Sequence, residues 1–251
     1  MTDKKTKVTA IIQARMSSTR LPGKVLKDVA GRPMIEQMMH RLSRAKRLNR
    51  IVAATSTTVG DDPLAELLYK NGILTFRGPE NDVLSRYYEA AKVFNADVVV
   101  RLTGDCPLID PFIVDEVVKR HLDSDADYTS NTLERTFPLG MDTEVFSFKV
   151  LEKAYRQAKE NYQREHVTPY FYLNPGIFKL QGIKAEGKLH RPDLRLTVDT
   201  AEDLELIRAI YNRLGQNGRF FNTEEVIELL DTLPELVAIN VHVQQKGLIE
   251  S

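Results

Sequence analysis

AIIQARMSSTRLPGK, residues 10–24, contains the end of an apolar run and a loop rich in cations and hydroxyls. The run starts at Val8, and its continuous apolar character up to Ile12 predicts a short buried strand. A turn is predicted at Pro22-Gly23, near the end of the loop. Guanidinium groups bind phosphate oxygens in pairs, whereas an ammonium group acts as a point charge. The stretch therefore predicts a polyphosphate-binding loop that carries three cations: Arg15, Arg20 and Lys24.

Two common phosphate-binding loops do not match this stretch. A Walker A loop needs a glycine at position 18 and a Ser or Thr at position 25, but the chain has Ser18 and Val25. The dinucleotide-binding fingerprint needs three glycines, and this loop contains only Gly23. The loop is therefore either a triphosphate-binding loop of another kind or a basic surface loop without a ligand.

The composition excludes several classes of function. The 251 residues are 42% apolar and 28% charged, and their formal net charge is zero, so no overall field attracts nucleic acid or an anionic membrane. Cys106 is the only cysteine, which rules out an intramolecular disulfide. No apolar run is long enough to span a bilayer, and MTDKKTKV at the N-terminus lacks the apolar region of a signal peptide. We therefore expect a cytoplasmic protein with neither nucleic acid nor membrane as a partner.

Strand and helix patterns alternate along the first half of the chain, and such a rhythm predicts a parallel sheet with helices on both faces. The predicted strands are 8–12, 51–55, 74–76 and 97–102, and the predicted helices are about 33–45, 61–71, 82–94 and 111–122. The second half is less regular, with predicted strands at 126–130, 143–148, 177–183, 194–198 and 237–243 and helices at 150–160, 164–173, 200–214 and from 222 onward. We predict one α/β domain over 1–251, with a mostly parallel Rossmann-like sheet and a small excursion in the second half.

Three loops of chemical interest follow predicted strands, and ligands of open parallel sheets bind outside the carboxyl ends of the strands. They are the cationic loop, Thr103-Gly104-Asp105 after the most apolar strand, and Asp199 after 194–198. Isolated carboxylates beside a polyphosphate are a usual way to hold Mg²⁺. Each carboxylate also has a structural alternative, because Asp105 could form a turn before Pro107 and Asp199 could be an acidic residue at a helix start.

The chain resembles a known family in five segments. They are IIQARMSSTRLPGKVLKDVAGRPMI (11–35), RLTGDCPLIDP (101–111), SNTLERTFPLGMDTEVFSF (130–148), REHVTPY (164–170) and RLTVDTAEDLELI (195–207). These resemble the spore coat polysaccharide biosynthesis protein F family, a branch of the acylneuraminate and 3-deoxy-manno-octulosonate cytidylyltransferases. The resemblance implies a nucleotide-diphospho-sugar transferase type of fold and an Mg²⁺-dependent transfer of CMP from CTP to an acidic sugar or related acceptor. Pyrophosphate is released, in surface polysaccharide or glycan biosynthesis.

The resemblance also implies roles for individual residues. Backbone near Gln13 and Ala14 faces the base, and Asp105 and Asp199 bind Mg²⁺. Four residues hold the phosphates of CTP: Arg15, Ser18, Arg20 and Lys24. Two of them, Arg15 and Lys24, are expected to be catalytic together with the two aspartates. Thr103 lies at the nucleotide as well, but here the chain departs from the octulosonate enzymes. They read Q-G-D-E-P where this chain reads TGDCP at 103–107, so the base contact and the acceptor sugar stay open.

Other interpretations of the sequence remain. A glycosyltransferase of the same fold would use an Asp-x-Asp metal motif, and Asp123-Ser-Asp125 has that spacing but lies beyond a helix. A non-catalytic nucleotide-binding partner is the third class. Arg164-Glu165-His166 is either an acceptor contact or a packed helix end.

Family members are commonly dimers, so we predict a homodimer. The apolar alternation of 141–148 either contributes to a two-fold interface or completes the sheet.

Overall fold

The sheet is the framework that places the three loops. The computed structural model describes residues 6–245. The strands in this part of the chain are β1 (Val8–Gln13), β2 (Asp28–Val29), β3 (Arg32–Pro33), β4 (Arg50–Ser56), β5 (Leu74–Gly78), β6 (Val98–Thr103), β7 (Tyr128–Ser130), β8 (Glu144–Ser147) and β9 (Leu180–Gly182). Seven of them form one sheet in the order β5-β4-β1-β6-β8-β7-β9, and β2 and β3 form a separate hairpin.

The first four strands of this order are parallel, whereas β8 runs antiparallel to both of its neighbours. The α-helices of the described chain are α1 (Met34–Leu42), α2 (Asp62–Lys70), α3 (Val83–Val93), α4 (Pro111–Leu122), α5 (Phe148–Gln157), α6 (Asn161–His166), α7 (Pro169–Tyr172), α8 (Ala201–Leu214), α9 (Thr223–Thr232) and α10 (Pro234–Ala238), of which the last three follow the final strand. The predicted fold class, a mostly parallel α/β sheet with helices around it, is confirmed.

Both faces of the sheet are buried, which explains why its central strands are mostly apolar. Ile12 packs into a cluster with α1, α4, α8 and α9, whereas Ile11 packs on the opposite face with α3, α5 and α7. Successive side chains of a strand point to opposite faces, so one apolar dipeptide contributes to both layers.

Two predicted strands are wrong. Residues 194–198 are extended and buried, but their only β-bridge among the described residues joins Leu139 to Arg195. Residues 237–243 do not form a strand, because Pro234 starts the short helix α10 and turns follow it. The predicted helix 164–173 is also interrupted, since Val167 adopts a φ of 69° between α6 and α7.

The segment 141–148 completes the sheet and cannot pair across a two-fold axis. Its strand β8 is hydrogen-bonded to β6 on one side and to β7 on the other, so both of its edges are occupied. This excludes strand pairing with a second copy through β8, and a contribution of the segment to a two-fold interface stays a prediction. Within residues 6–245, no helix is long and apolar enough to cross a membrane.

Candidate active site

The cationic loop and the Gly104 loop meet where the strand order reverses. From β1 the chain proceeds to β4 and β5 on one side, and it then returns to β6 on the other. Gln13 and Thr103, the last residues of β1 and β6, lie opposite each other in the sheet. The amide of Gly104 donates a hydrogen bond to the Gln13 carbonyl at 2.8 Å. A Cβ at position 104 would lie 2.9 Å from the Cβ of Ala14, so a glycine is needed for this approach.

A cavity of about 310 Å³ opens at this switch point. It brings together every site residue that the sequence predicts: Gln13, Ala14, Arg15, Ser18, Arg20, Lys24, Thr103, Asp105 and Asp199. It also contains residues that sequence reasoning did not assign to the nucleotide site: Ser17, Thr19, Val25, Val83, Arg86, Glu165 and His166.

The start of the cationic loop is anchored by Asp61. This carboxylate is 1% exposed and accepts hydrogen bonds from the amide of Met16 at 2.6 Å, the Thr55 hydroxyl at 3.0 Å and the amide of Ser56 at 3.0 Å. Burial alone would raise the pKa of Asp61, but these hydrogen bonds lower it overall. Asp61 is therefore a buried anion that fixes the loop, a role that its position before Pro63 in the sequence does not reveal.

Lys24 connects the two predicted metal ligands. Its Nζ lies 2.8 Å from Oδ1 of Asp199 and 3.3 Å from Oδ2 of Asp105, and it donates to the Val198 carbonyl at 2.7 Å. Burial would lower the pKa of Lys24, but the charges of both carboxylates raise it overall. The ammonium group therefore stays charged and holds the two carboxylates around one cation.

Asp105 is half-buried in the site and ionised. Burial acts to raise its pKa, but the charge of Lys24 and the hydroxyl of Thr103 lower it overall. The neighbouring Cys106 is 4% exposed, and burial together with the negative charge of Asp105 raises the pKa of its thiol. A thiol that stays protonated is a poor nucleophile, so Cys106 is not suited to covalent catalysis.

The segment 194–198 delivers Asp199 to the site without being a strand. The amide of Val198 donates to the Asp105 carbonyl at 2.8 Å, and the Thr197 hydroxyl donates to the same oxygen at 3.2 Å. Oδ2 of Asp199 receives ion pairs from Arg20 and from Arg195, each at 2.8 Å. These contacts fix the position of the carboxylate from three directions.

Arg195 belongs to a buried network that shapes the turn before α8. It is 8% exposed, and its Nε donates to Oδ1 of Asp203 at 2.8 Å. Asp203 in turn accepts the amides of Asp199 at 2.8 Å and of Thr200 at 3.0 Å, and Asn240 donates to it at 2.8 Å. The capping box of Thr200 and Asp203 was visible in the sequence as a helix start, but its link to Asp199 through Arg195 was not.

The carboxylates of Asp105 and Asp199 suit a divalent cation whose other ligands are phosphate oxygens and water. Within residues 6–245 no cluster of three or more His, Cys, Asp or Glu side chains could hold a metal by itself. Asp105 and Asp199 nevertheless share a cation in the form of the Lys24 ammonium. Mg²⁺ usually takes one or two carboxylates together with phosphate oxygens and water. The two aspartates therefore fit Mg²⁺ when a polyphosphate occupies the cavity.

In the segment Arg164-Glu165-His166, one residue belongs to a packed helix end and two line the cavity, where they could contact an acceptor. Arg164 pairs with Asp82 at 2.6 Å and donates to the carbonyls of Tyr155 and Ala158, so it is part of a packed helix end. Glu165 and His166, in contrast, line the cavity. They are therefore the members of this segment that an acceptor could reach.

A cationic loop and two carboxylates lie at the switch point of a mostly parallel α/β sheet, the place where such sheets bind ligands, and the fold is that of Rossmann-type nucleotidyltransferases. Comparisons with known proteins give the family. The cytidylyltransferase family model matches residues 9–227, and the chain belongs to this family. A solved cytidylyltransferase structure from Leptospira borgpetersenii superimposes with a TM-score of 0.88 at 36% identity, covering 96% of this chain and 99% of that one.

Two curated relatives extend the comparison. The chain is 37% identical to the spore coat polysaccharide biosynthesis protein SpsF of Bacillus subtilis, over 90% of this chain and 94% of that protein. It is 39% identical to the 3-deoxy-manno-octulosonate cytidylyltransferase of Geobacter sulfurreducens over 114 residues, which are 44% of each chain. The expected family and enzyme class are thereby confirmed.

Proposed function

We propose that this chain transfers CMP from CTP to an acidic sugar or related acceptor, with Mg²⁺, and releases pyrophosphate in surface polysaccharide or glycan biosynthesis. The observation that carries the proposal is the pair Asp105 and Asp199 around the Lys24 ammonium, at the end of a cationic loop. The name of the SpsF relative supports a role in polysaccharide biosynthesis, and the name of the octulosonate enzyme supports an acidic acceptor.

The reaction is an in-line exchange at the α-phosphorus of CTP. A hydroxyl oxygen of the acceptor forms the new bond, the bond between the α-phosphorus and the bridging oxygen to the β-phosphorus breaks, and the acceptor proton leaves to solvent. Arg15, Arg20 and Lys24 bind the triphosphate and stabilise the charge that develops on departing pyrophosphate. Arg15 forms no hydrogen bond or ion pair with another residue of 6–245, so its guanidinium is available to the ligand.

Asp105 and Asp199 would hold Mg²⁺ together with phosphate oxygens. Bound there, the ion supplies positive charge against the α-phosphate and lowers the pKa of the acceptor hydroxyl. The network of Arg195 and Asp203 keeps the Asp199 carboxylate in place before the nucleotide arrives. Positioning and charge stabilisation then account for the catalysis, without a dedicated protein base.

The glycosyltransferase alternative receives no support from the site. Asp123 pairs with Lys119 on the surface, Asp125 is also exposed, and neither residue lines the cavity. The homodimer and the cytoplasmic location remain part of this proposal. They are supported by the family resemblance and by the use of CTP as a substrate.

The test is to incubate the protein with CTP, Mg²⁺ and a panel of sugar acids, and to measure pyrophosphate together with CMP-linked product. We expect equal amounts of both with at least one acid, and no product from Asp199→Asn. Asp123→Asn is the matched control and should retain full activity, because this surface carboxylate is remote from the cavity lining. Consumption of a nucleotide sugar with no pyrophosphate from CTP would contradict the proposal in favour of glycosyl transfer.

A further inference from the structure

Arg86 is a buried cation that the proposed reaction does not yet use. It lies in the first part of α3, is 1% exposed and lines the cavity. Its Nη1 donates one hydrogen bond, to the Pro79 carbonyl at 3.2 Å. Its Nε is buried without any hydrogen-bond partner among the described residues, and no carboxylate of residues 6–245 forms an ion pair with it. The guanidinium is therefore far from satisfied by the protein.

Nearby acidic side chains are engaged elsewhere. Asp61 and Glu80 favour the charged form of Arg86 through space, but Asp61 accepts the amide of Met16 and Glu80 accepts the hydroxyl of Ser17 at 2.9 Å. Burial lowers the pKa of Arg86, and the positive charge of Arg15 lowers it further. Arg15 and Arg86 therefore bring two like charges to the lining of one cavity.

Other buried arginines of the described chain have a carboxylate or at least two carbonyl acceptors. Arg101 also has a buried Nε without a hydrogen-bond partner, but its Nη1 pairs with Glu144 at 2.6 Å and its Nη2 donates to Gln13 at 3.2 Å. Arg195 pairs with the carboxylates of Asp199 and Asp203. Arg41, 3% exposed, donates to the carbonyls of Ile109 and Phe221, and its guanidinium also lies 4.8 Å from the ring centre of Phe221. Removing a charge from water without a partner is costly, and an apolar side chain would pack at lower cost in the same place. Packing alone therefore does not account for an arginine at position 86.

We propose that Arg86 is a phosphate-binding residue of this cavity and that it takes an anionic oxygen pair of a nucleoside polyphosphate beside Arg15. The proposal rests on the proposed use of CTP. A planar guanidinium matches the spacing of phosphate oxygens, and the ligand would supply the missing hydrogen-bond acceptors and counter-charge. A sugar carboxylate offers the same chemistry, but the proximity of Arg86 to Arg15 favours the nucleotide.

The first experiment compares Arg86→Met with Arg41→Met by calorimetric titration and thermal unfolding. We expect Arg86→Met to bind CTP and inorganic tripolyphosphate at least tenfold more weakly, while the unfolding temperature of the free protein is unchanged or higher. Arg41→Met should show the reverse, a lower unfolding temperature with unchanged CTP affinity. Unchanged CTP affinity in Arg86→Met would overturn the proposal, as would a loss of affinity confined to sugar acids.

A second measurement does not depend on how the variant folds. The Arg86 Nε–H signal of the wild-type protein, assigned by its loss in Arg86→Lys, should shift on addition of tripolyphosphate and of CTP but not of cytidine. No shift at saturating CTP would overturn the proposal. If wild-type protein binds tripolyphosphate through Arg86 but shows no preference for CTP, the proposed function fails while the phosphate-binding role of Arg86 stands.

Discussion

Lys24, Asp105 and Asp199 form the chemical centre of the molecule, and each depends on the other two. The ammonium lies 2.8 Å from one carboxylate and 3.3 Å from the other, so loss of either aspartate leaves a buried cation with half of its counter-charge. A nucleotide-bound divalent cation would compete with the ammonium for the same oxygens. The three side chains therefore act as one unit.

We expect Asp105→Asn and Asp199→Asn each to abolish transfer at ordinary Mg²⁺ concentration, and the double variant to be little worse than either single variant. Groups that act as a unit show such non-additive losses. The measurement is the initial rate of pyrophosphate release by the two single variants and the double variant. Losses that multiply would show that the carboxylates have separate roles.

Arg15 lines the cavity, and we expect its chemical type to matter most for nucleotide binding. We expect Arg15→Lys to weaken CTP binding about ten- to a hundredfold, because an ammonium cannot replace a pair of charge-assisted hydrogen bonds. Calorimetric titration measures this, and Arg213→Lys, exposed on α8 outside the cavity lining, is the matched control. Equal CTP affinity in wild type and Arg15→Lys would remove Arg15 from the site.

At the scale of elements, the strands that carry the site were predictable. β1 and β6 are predominantly apolar runs, and the rule for parallel sheets places their following loops at one edge. The prediction of a strand at 194–198 was wrong for a physical reason. Its alternating Leu194, Leu196 and Val198 are buried as in a strand, but the backbone bonds to the Asp105 loop and to Leu139. Burial of every second side chain produces the alternating apolar pattern, but the backbone forms a strand only where a neighbouring strand accepts its hydrogen bonds.

The supporting residues were not predictable, because their partners are distant in sequence. Asp61 acts on Met16, and Asn240 reaches Asp203, each across more than 35 positions. In the sequence Arg86 resembles an ordinary exposed cation of a helix, and only the structure shows that it is buried. A sequence pattern identifies side chains that face a ligand at strand ends, whereas the network behind them requires the tertiary structure.

Helix α4 carries a group that makes stability depend on pH. His121 is 6% exposed, its Nδ1 lies 3.0 Å from the Thr129 hydroxyl, and burial lowers its pKa to about 4 although Asp127 opposes this. The unfolded chain binds the proton near pH 6.5, so stability is lost as the pH falls from about 6.5 toward 4. At pH 5 this histidine accounts for about 2 kcal/mol of that loss.

His121→Gln should therefore reduce the fall in unfolding free energy between pH 7 and pH 5 by about 2 kcal/mol. Urea unfolding at both pH values measures the difference between wild type and variant. Between pH 7 and pH 8 the two proteins should change in parallel, since His121 is neutral in both states there. An identical fall to pH 5 in wild type and variant would contradict the assignment.

At the scale of the whole molecule, the predicted homodimer cannot form by strand pairing at the edges of β8. Both edges of that strand are paired within the sheet, whose outer strands are β5 and β9. We expect light scattering to give the mass of two chains across the micromolar range. The mass of a single chain at every concentration would contradict the prediction.

The central claim is that the cavity at the β1 and β6 ends is a site for a cytidine nucleotide. We propose that backbone near Gln13 and Ala14 reads the amine and carbonyl of cytosine, and each unmatched buried hydrogen bond costs about 1 to 3 kcal/mol. The most direct test is the shift in unfolding temperature with CTP, UTP, ATP and GTP in the presence of Mg²⁺. We predict the largest stabilisation by CTP, with an affinity about ten- to a hundredfold above that for UTP. Equal stabilisation by UTP or GTP would contradict the claim.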